Sequence, residues 1–168
     1  MQILESGMIF GNYDPDQVFK VENSQIHNQV GNGVKSVEFI LLKETDKIFF
    51  IEAKSSSPKL ETDWKRYQEF LNEISEKFVH SFDMFCAWYM KRLKDEGEIG
   101  TALRTAPVDK AKFVFVLVIR GHKKEWLLPL QEELNNKLRY HRAIWKSRII
   151  VMNDEIANAH HLTVSETG

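Results

Sequence analysis

Two short apolar segments decide the fold: Ser36–Leu42 (SVEFILL) and Lys47–Lys54 (KIFFIEAK). Both are rich in aromatic and aliphatic residues and are bounded by polar turns, which is typical of β-strands. Because only a short polar loop separates them, we expect an antiparallel hairpin. A loop centred on Thr45 would place Ile40 opposite Phe50 and set the register of the whole pair.

Charged residues stand at the open end of this hairpin. Since alternate residues of a strand share a face, Glu52 and Lys54 point the same way, and the predicted register places Glu38 opposite Glu52. Like charges in that position destabilise a sheet, and a hard cation between them would offset the repulsion. Mg²⁺ takes oxygen ligands, usually one or two carboxylates with waters and substrate phosphate.

The open end of the hairpin therefore has two interpretations. In the first, Glu38 and Glu52 bind Mg²⁺ or Mn²⁺, and Lys54 orients or deprotonates an attacking water or neutralises phosphate charge. In the second, the three residues form a surface charge cluster in which Lys54 pairs with a carboxylate.

The rest of the chain predicts a mixed sheet with helices. A helical pattern runs from Thr62 to Lys94, because apolar residues recur every three or four positions. The other predicted elements are a first strand Gln17–Ser24, a buried strand Phe113–Ile119, a helix Pro129–Arg142 with Pro129 near its first turn, a strand Arg148–Asn153 and a short helix through Ala159. This order predicts an α/β fold: one domain over residues 1–168, with an N-terminal antiparallel β-meander in a mixed β-sheet flanked by helices. Residues 1–16 are weakly patterned.

Composition excludes several classes of protein. The 168 residues carry 23 Lys and Arg against 24 Asp and Glu, a net charge of −1, which excludes a polybasic coat protein and a disordered acidic tail. A single cysteine, Cys86, excludes an internal disulfide and a cysteine zinc site, and the six histidines show no metal-ligand spacing. No apolar run reaches the roughly 18 residues of a membrane span. We expect a cytoplasmic protein without a membrane partner.

A second charged feature is the segment 137–148 (KLRYHRAIWKSR), which holds five Lys and Arg residues and no acid. Its candidate phosphate contacts are Lys137, Arg139, Arg142, Lys146 and Arg148. The alternative is a helix end whose bases complement the helix dipole while its aromatic residues pack inward. A third feature, the broad apolar face over residues 78–93, predicts a homodimer contact.

The acid on one strand, the short turn and the Glu-x-Lys on the next strand resemble the PD-(D/E)XK nuclease superfamily. The matching segments are 36–40 (SVEFI) and 51–55 (IEAKS), within a resemblance that covers about residues 17–120. The whole chain is similar to small bacterial proteins of this kind. It implies a restriction-endonuclease-like fold and a metal-dependent phosphodiesterase acting on nucleic acid, DNA in preference to RNA. Glu38 and Glu52 would bind Mg²⁺ or Mn²⁺, Lys54 would serve the nucleophilic water, and Glu22 is the nearest additional acid. The alternative is a non-catalytic nucleic-acid- or protein-binding module on the same fold.

Overall fold

The structure, a computed structural model, describes residues 1–165. Its strands are β1 (Ile3–Glu5), β2 (Met8–Phe10), β3 (Val18–Lys20), β4 (Phe39–Lys43), β5 (Lys47–Lys54), β6 (Lys112–Ile119), β7 (Arg148–Asn153) and β8 (Thr163–Val164). Its helices are α1 (Gln25–Val30), α2 (Trp64–Tyr89), α3 (Thr101–Arg104), α4 (Lys124–Lys137), α5 (Arg139–Trp145) and α6 (Asp154–Ala159).

The main sheet has five strands in the order β3-β4-β5-β6-β7. The first three strands pair antiparallel as a meander, and β5, β6 and β7 pair parallel. Helices α2 and α4 provide the crossovers that parallel strands require. The structure therefore confirms the predicted mixed α/β sheet with its antiparallel meander and flanking helices.

The hairpin of β4 and β5 has the predicted register, with Ile40 opposite Phe50 and Leu42 opposite Ile48. Its turn is closed by Glu44, which takes a left-handed φ of 60°. Because the register is correct, the same residues face each core as the alternation predicts.

Apolar layers cover both faces of the main sheet. On one face, the Phe50 ring lies 5.2 to 6.5 Å from four aromatic rings, those of Phe82, Phe85, Phe113 and Phe115. Helix α2 packs on this face because its buried residues, such as Ile74 and Phe78, recur every three or four positions. On the other face, Phe10 of a small sheet, with strand order β1-β2-β8, packs edge-on against Phe39.

The N-terminal predictions need three corrections. The strand predicted over Gln17–Ser24 ends at Lys20, because Ser24 instead caps α1 by accepting a hydrogen bond from the His27 N–H at 3.0 Å. The strand predicted from Ser36 begins at Phe39. Residues 1–16, which show no clear pattern, contain the β1–β2 hairpin, since three-residue strands are too short for alternation to be visible.

The predicted helices also change. Helix α2 is continuous through Ser81 and ends at Tyr89, where Trp88 Nε1 donates to Asp95 Oδ1 at 2.7 Å and the chain turns. The helix predicted from Pro129 begins at Lys124 and holds Pro129 in its interior. The buried Leu127, Leu130 and Leu134 dock α4 on the sheet and offset the lost hydrogen bond. No helix within residues 1–165 is long and apolar enough to cross a membrane.

Candidate functional site

Glu38 immediately precedes β4, and its backbone bonds to both neighbouring segments of the sheet. The regular pairing of β4 with β5 ends at Phe39 and Ile51, and the Glu38 N–H donates to the carbonyl of the same Ile51 at 3.1 Å. On the other side, the Glu38 carbonyl accepts from the Val21 N–H at 3.2 Å. Because Glu38 and Phe39 both meet Ile51, the regular register is interrupted as in a β-bulge, and the predicted pairing of Glu38 with Glu52 is not part of the ladder.

Glu52 is a fully buried acid, with 0% of its surface exposed. Its Oε1 accepts a hydrogen bond from Lys77 Nζ at 2.7 Å and lies 3.3 Å from Lys54 Nζ. Its Oε2 has no hydrogen-bond partner within residues 1–165. Burial raises the pKa of Glu52, and the two ammonium groups offset part of that rise. The carboxylate is therefore half satisfied, and its second oxygen can accept a ligand.

Glu38 is a partly buried acid within electrostatic range of Glu52. Burial and the neighbouring carboxylate of Glu52 together raise the pKa of Glu38 to about 7. Burial is the larger cause, and the like charge of Glu52 adds to it because it disfavours a second carboxylate nearby. A cation bound between the two acids would lower the pKa of each, because it favours the charged form of a carboxyl group.

Lys54 belongs to a chain of alternating charges, which runs from Glu73 through Lys54 and Glu52 to Lys77. Its Nζ lies 2.8 Å from Glu73 Oε1 and 3.3 Å from Glu52 Oε1. Although burial favours the neutral amine, the hydrogen bond to Glu73 and the charge of Glu52 raise the pKa of Lys54. The side chain is 25% exposed, so it is a charged ammonium that water and a solute can reach.

Two residues of this chain of charges, Glu73 and Lys77, were not among the sequence-predicted site residues. They lie one turn apart on α2, next to the buried Ile74 and Phe78. The sequence feature that could have pointed to them is a pair of opposite charges at positions i and i+4, at the border of an apolar helix face. That pattern is typical of many solvent-facing helices, so it could not identify the strand that these residues meet.

Glu22 lies away from a strand, in the exposed turn that follows β3. Its charge, like that of Glu5 on β1, contributes to the raised pKa of Glu38. Within residues 1–165, no three side chains of His, Cys, Asp or Glu are grouped closely enough to hold a metal ion by themselves. A cation at this site would therefore rely on Glu38 and Glu52, with water and substrate as its other ligands.

The predicted basic patch lies toward the opposite end of the main sheet. Arg148 is paired with Val114 near the start of β6, whereas Lys54 is paired with Ile119 at its end. The aromatic residues of α5 divide between two roles, because Trp145 packs on Phe82 while Tyr140 stays 69% exposed. The remaining members of the patch are Lys137, Arg139, Arg142 and Lys146. Contact of this patch with nucleic acid stays a prediction.

The apolar face predicted for a homodimer is largely used within the chain. Phe78, Phe82, Phe85 and Trp88 of α2 are buried against the sheet and its loops. Beyond them, Met90 is 67% exposed at the end of the helix. The homodimer stays a prediction, now limited to a small apolar surface.

Comparisons of the chain with family models, with curated proteins and with solved structures gave no match. The function must therefore be inferred from the residues of the chain itself.

Proposed function

We propose that this protein is a Mg²⁺- or Mn²⁺-dependent phosphodiesterase that cleaves nucleic acid, with Glu38, Glu52 and Lys54 as its site. The observation that carries the proposal is the unpartnered Oε2 of the fully buried Glu52, whose charge acts on a second acid, Glu38. An orphaned buried carboxylate oxygen is costly, and a divalent cation shared with Glu38 would satisfy it.

The donor set fits such a cation. Mg²⁺ is commonly held by one or two carboxylates while keeping waters and binding substrate phosphate, and this hairpin supplies two acids of that kind. When bound, the cation would polarise a phosphate oxygen and make a coordinated water more acidic. The sequence resemblance to PD-(D/E)XK nucleases assigns the same roles to the same residues.

Lys54 has the properties of a group that stabilises phosphate charge. An ammonium has three N–H donors, and Glu73 and Glu52 are within reach of two of them, at 2.8 and 3.3 Å. One donor remains for a phosphate oxygen or for the oxygen of an attacking water. Because its pKa is raised, Lys54 is better suited to neutralising developing negative charge than to removing a proton.

The test is cleavage of labelled single- and double-stranded DNA and RNA with Mg²⁺ or Mn²⁺. We expect product from the wild type and at least about a hundredfold less from Glu52→Gln and Lys54→Ala, since charge-stabilising groups contribute that much. The matched controls are Glu132→Gln and Lys112→Ala, which remove exposed charges elsewhere in the fold. Equal rates in all five proteins would refute the proposal.

A second function is supported by one contact, the 2.7 Å hydrogen bond from Lys77 to Glu52 Oε1. An ammonium in that place neutralises the buried acid as a metal would, which suits a non-catalytic nucleic-acid- or protein-binding module. Titration with Mn²⁺ separates the two functions. The phosphodiesterase requires a Mn²⁺ site that Glu52→Gln removes, whereas the binding module shows no such site and leaves oligonucleotides intact.

A further inference from the structure

A cavity of about 510 Å³ opens at the ends of β5 and β6, between the starts of α2 and α4. We call it the Trp126 cavity; its wall includes Ser57, Lys59, Tyr67, His122, Glu125 and Trp126. This volume lies in the range of roughly 300–1,000 Å³ that is typical of small-molecule sites. None of these residues belongs to the site of Glu38, Glu52 and Lys54.

The cavity lies on the same sheet face as the proposed catalytic residues. Lys54 is paired with Ile119, which is buried under α2 and α4 on that face. Ser57 follows Lys54 by three residues, a distance of at most about 11 Å along an extended chain. Tyr67 precedes Glu73 by six residues on α2, about 9 Å along the helix. A chain molecule bound at Lys54 could therefore enter the cavity with its neighbouring unit.

Trp126 has an environment suited to a flat ring bound next to negative charge. The ammonium groups of Lys59 and Lys123 lie 4.8 and 4.9 Å from the centre of its indole ring. Both lysines are exposed and flexible, so they can leave the ring for a phosphate while a base stacks on the indole. The pairing of an aromatic surface with movable cations is the common arrangement in single-strand binding sites.

Polar groups at the rim match the edge of a nucleobase. Burial lowers the pKa of His122, so its imidazole is neutral at pH 7 and offers one donor and one acceptor. Its ring packs edge-on against Trp126 at 5.2 Å between centroids. The carboxylates of Glu61 and Glu125 also line the cavity, and carboxylates accept hydrogen bonds from base amino groups.

We propose that the Trp126 cavity binds one nucleotide of a single-stranded nucleic acid, with its base stacked on Trp126 and its phosphate held by Lys59 and Lys123. The proposal rests on the proposed function, because it assigns the cavity to the same substrate. A single strand is required, since an indole ring inside a cavity reaches the face of a base only when that base is unstacked from its neighbours.

The experiment measures binding of fluorescein-labelled oligonucleotides of about eight residues by anisotropy, with EDTA present to prevent cleavage. Oligo-dC and oligo-C form the DNA and RNA arms, because cytosine carries an amino group that a carboxylate can accept from, and a duplex of equal length forms a third. We expect Trp126→Ala to weaken single-strand binding by roughly 5- to 150-fold, because stacking of one base has that effect. Trp126→Phe should keep most of the affinity, and the duplex should bind more weakly than the single strands.

Trp64→Ala is the matched control, because it removes the same side chain from a position that is 64% exposed and does not line the cavity. Its affinity should stay within about twofold of the wild type, as expected for a surface substitution. Replacing both Lys59 and Lys123 by Gln should reduce the salt dependence of binding. The slope of the logarithm of the binding constant against the logarithm of salt concentration should become shallower by about 1.4. Equal dissociation constants for the wild type and Trp126→Ala would overturn the proposal.

These measurements distinguish failure of the cavity proposal from failure of the phosphodiesterase proposal. If no oligonucleotide is cleaved but Trp126→Ala still weakens single-strand binding, the cavity proposal stands and the phosphodiesterase proposal fails. If oligonucleotides are cleaved but Trp126→Ala changes neither the dissociation constant nor the KM, the phosphodiesterase proposal stands and the cavity proposal fails.

Discussion

Replacing Glu38 by Gln should change how the stability of the protein depends on pH. The pKa of Glu38 is raised from 4.5 to about 7 by burial and by the carboxylate of Glu52. Between those two pH values the folded protein holds a proton that the unfolded chain has released, so the free energy of unfolding falls as pH rises. The full shift is equivalent to about 3 kcal/mol, which we discount to about 1–2 kcal/mol because the carboxyl is partly solvated.

The assay is urea denaturation at several pH values between 4 and 8, followed by tryptophan fluorescence. Relative to Glu38→Gln, the wild type should lose about 1–2 kcal/mol across this range, with the loss complete just above pH 7. The difference between the two proteins cancels the contributions of titrating groups that do not interact with Glu38. Glu132→Gln, which removes an exposed acid of α4, is the control and should follow the wild type. Parallel curves for the wild type and Glu38→Gln would refute the reasoning.

The same two proteins also report on the cation. At pH 8, Mg²⁺ at about a hundred times its dissociation constant should stabilise the wild type by about 2.7 kcal/mol. Glu38→Gln should show a much smaller gain, because it lacks one of the two carboxylates. An equal gain in both proteins would place the bound cation elsewhere.

Three substitutions test the packing of the fold by denaturation at pH 7. Lys77→Met should cost about 3–5 kcal/mol, because it leaves the buried Glu52 without its 2.7 Å partner; a loss below about 1 kcal/mol would contradict that role. Phe50→Ala should also cost about 3–5 kcal/mol, since Phe50 is fully buried among four aromatic rings, and a mild effect would mean that the core repacks. Gly100→Ala should cost about 1–3 kcal/mol, because a Cβ there would lie 2.5 Å from the Asp16 Cα; unchanged stability would show that this backbone contact can relax.

Local patterns predicted the parts of the fold that local forces decide. The hairpin register was predictable because alternation and a short loop leave one pairing that buries both apolar faces. The boundaries of α4 were not predictable, since Pro129 normally marks the start of a helix and here lies inside one. Tertiary packing of the buried leucines of α4 overrides that local preference.

The sequence by itself determined that Glu52 and Lys54 share one face of β5, because strand alternation is a property of neighbouring residues. Only the tertiary structure decided what those residues meet. The position of α2 on the sheet brings Glu73 to Lys54 and Lys77 to Glu52, and it leaves one oxygen of Glu52 buried without a partner. Such contacts depend on where a helix docks, and periodicity shows only which side of a helix is apolar.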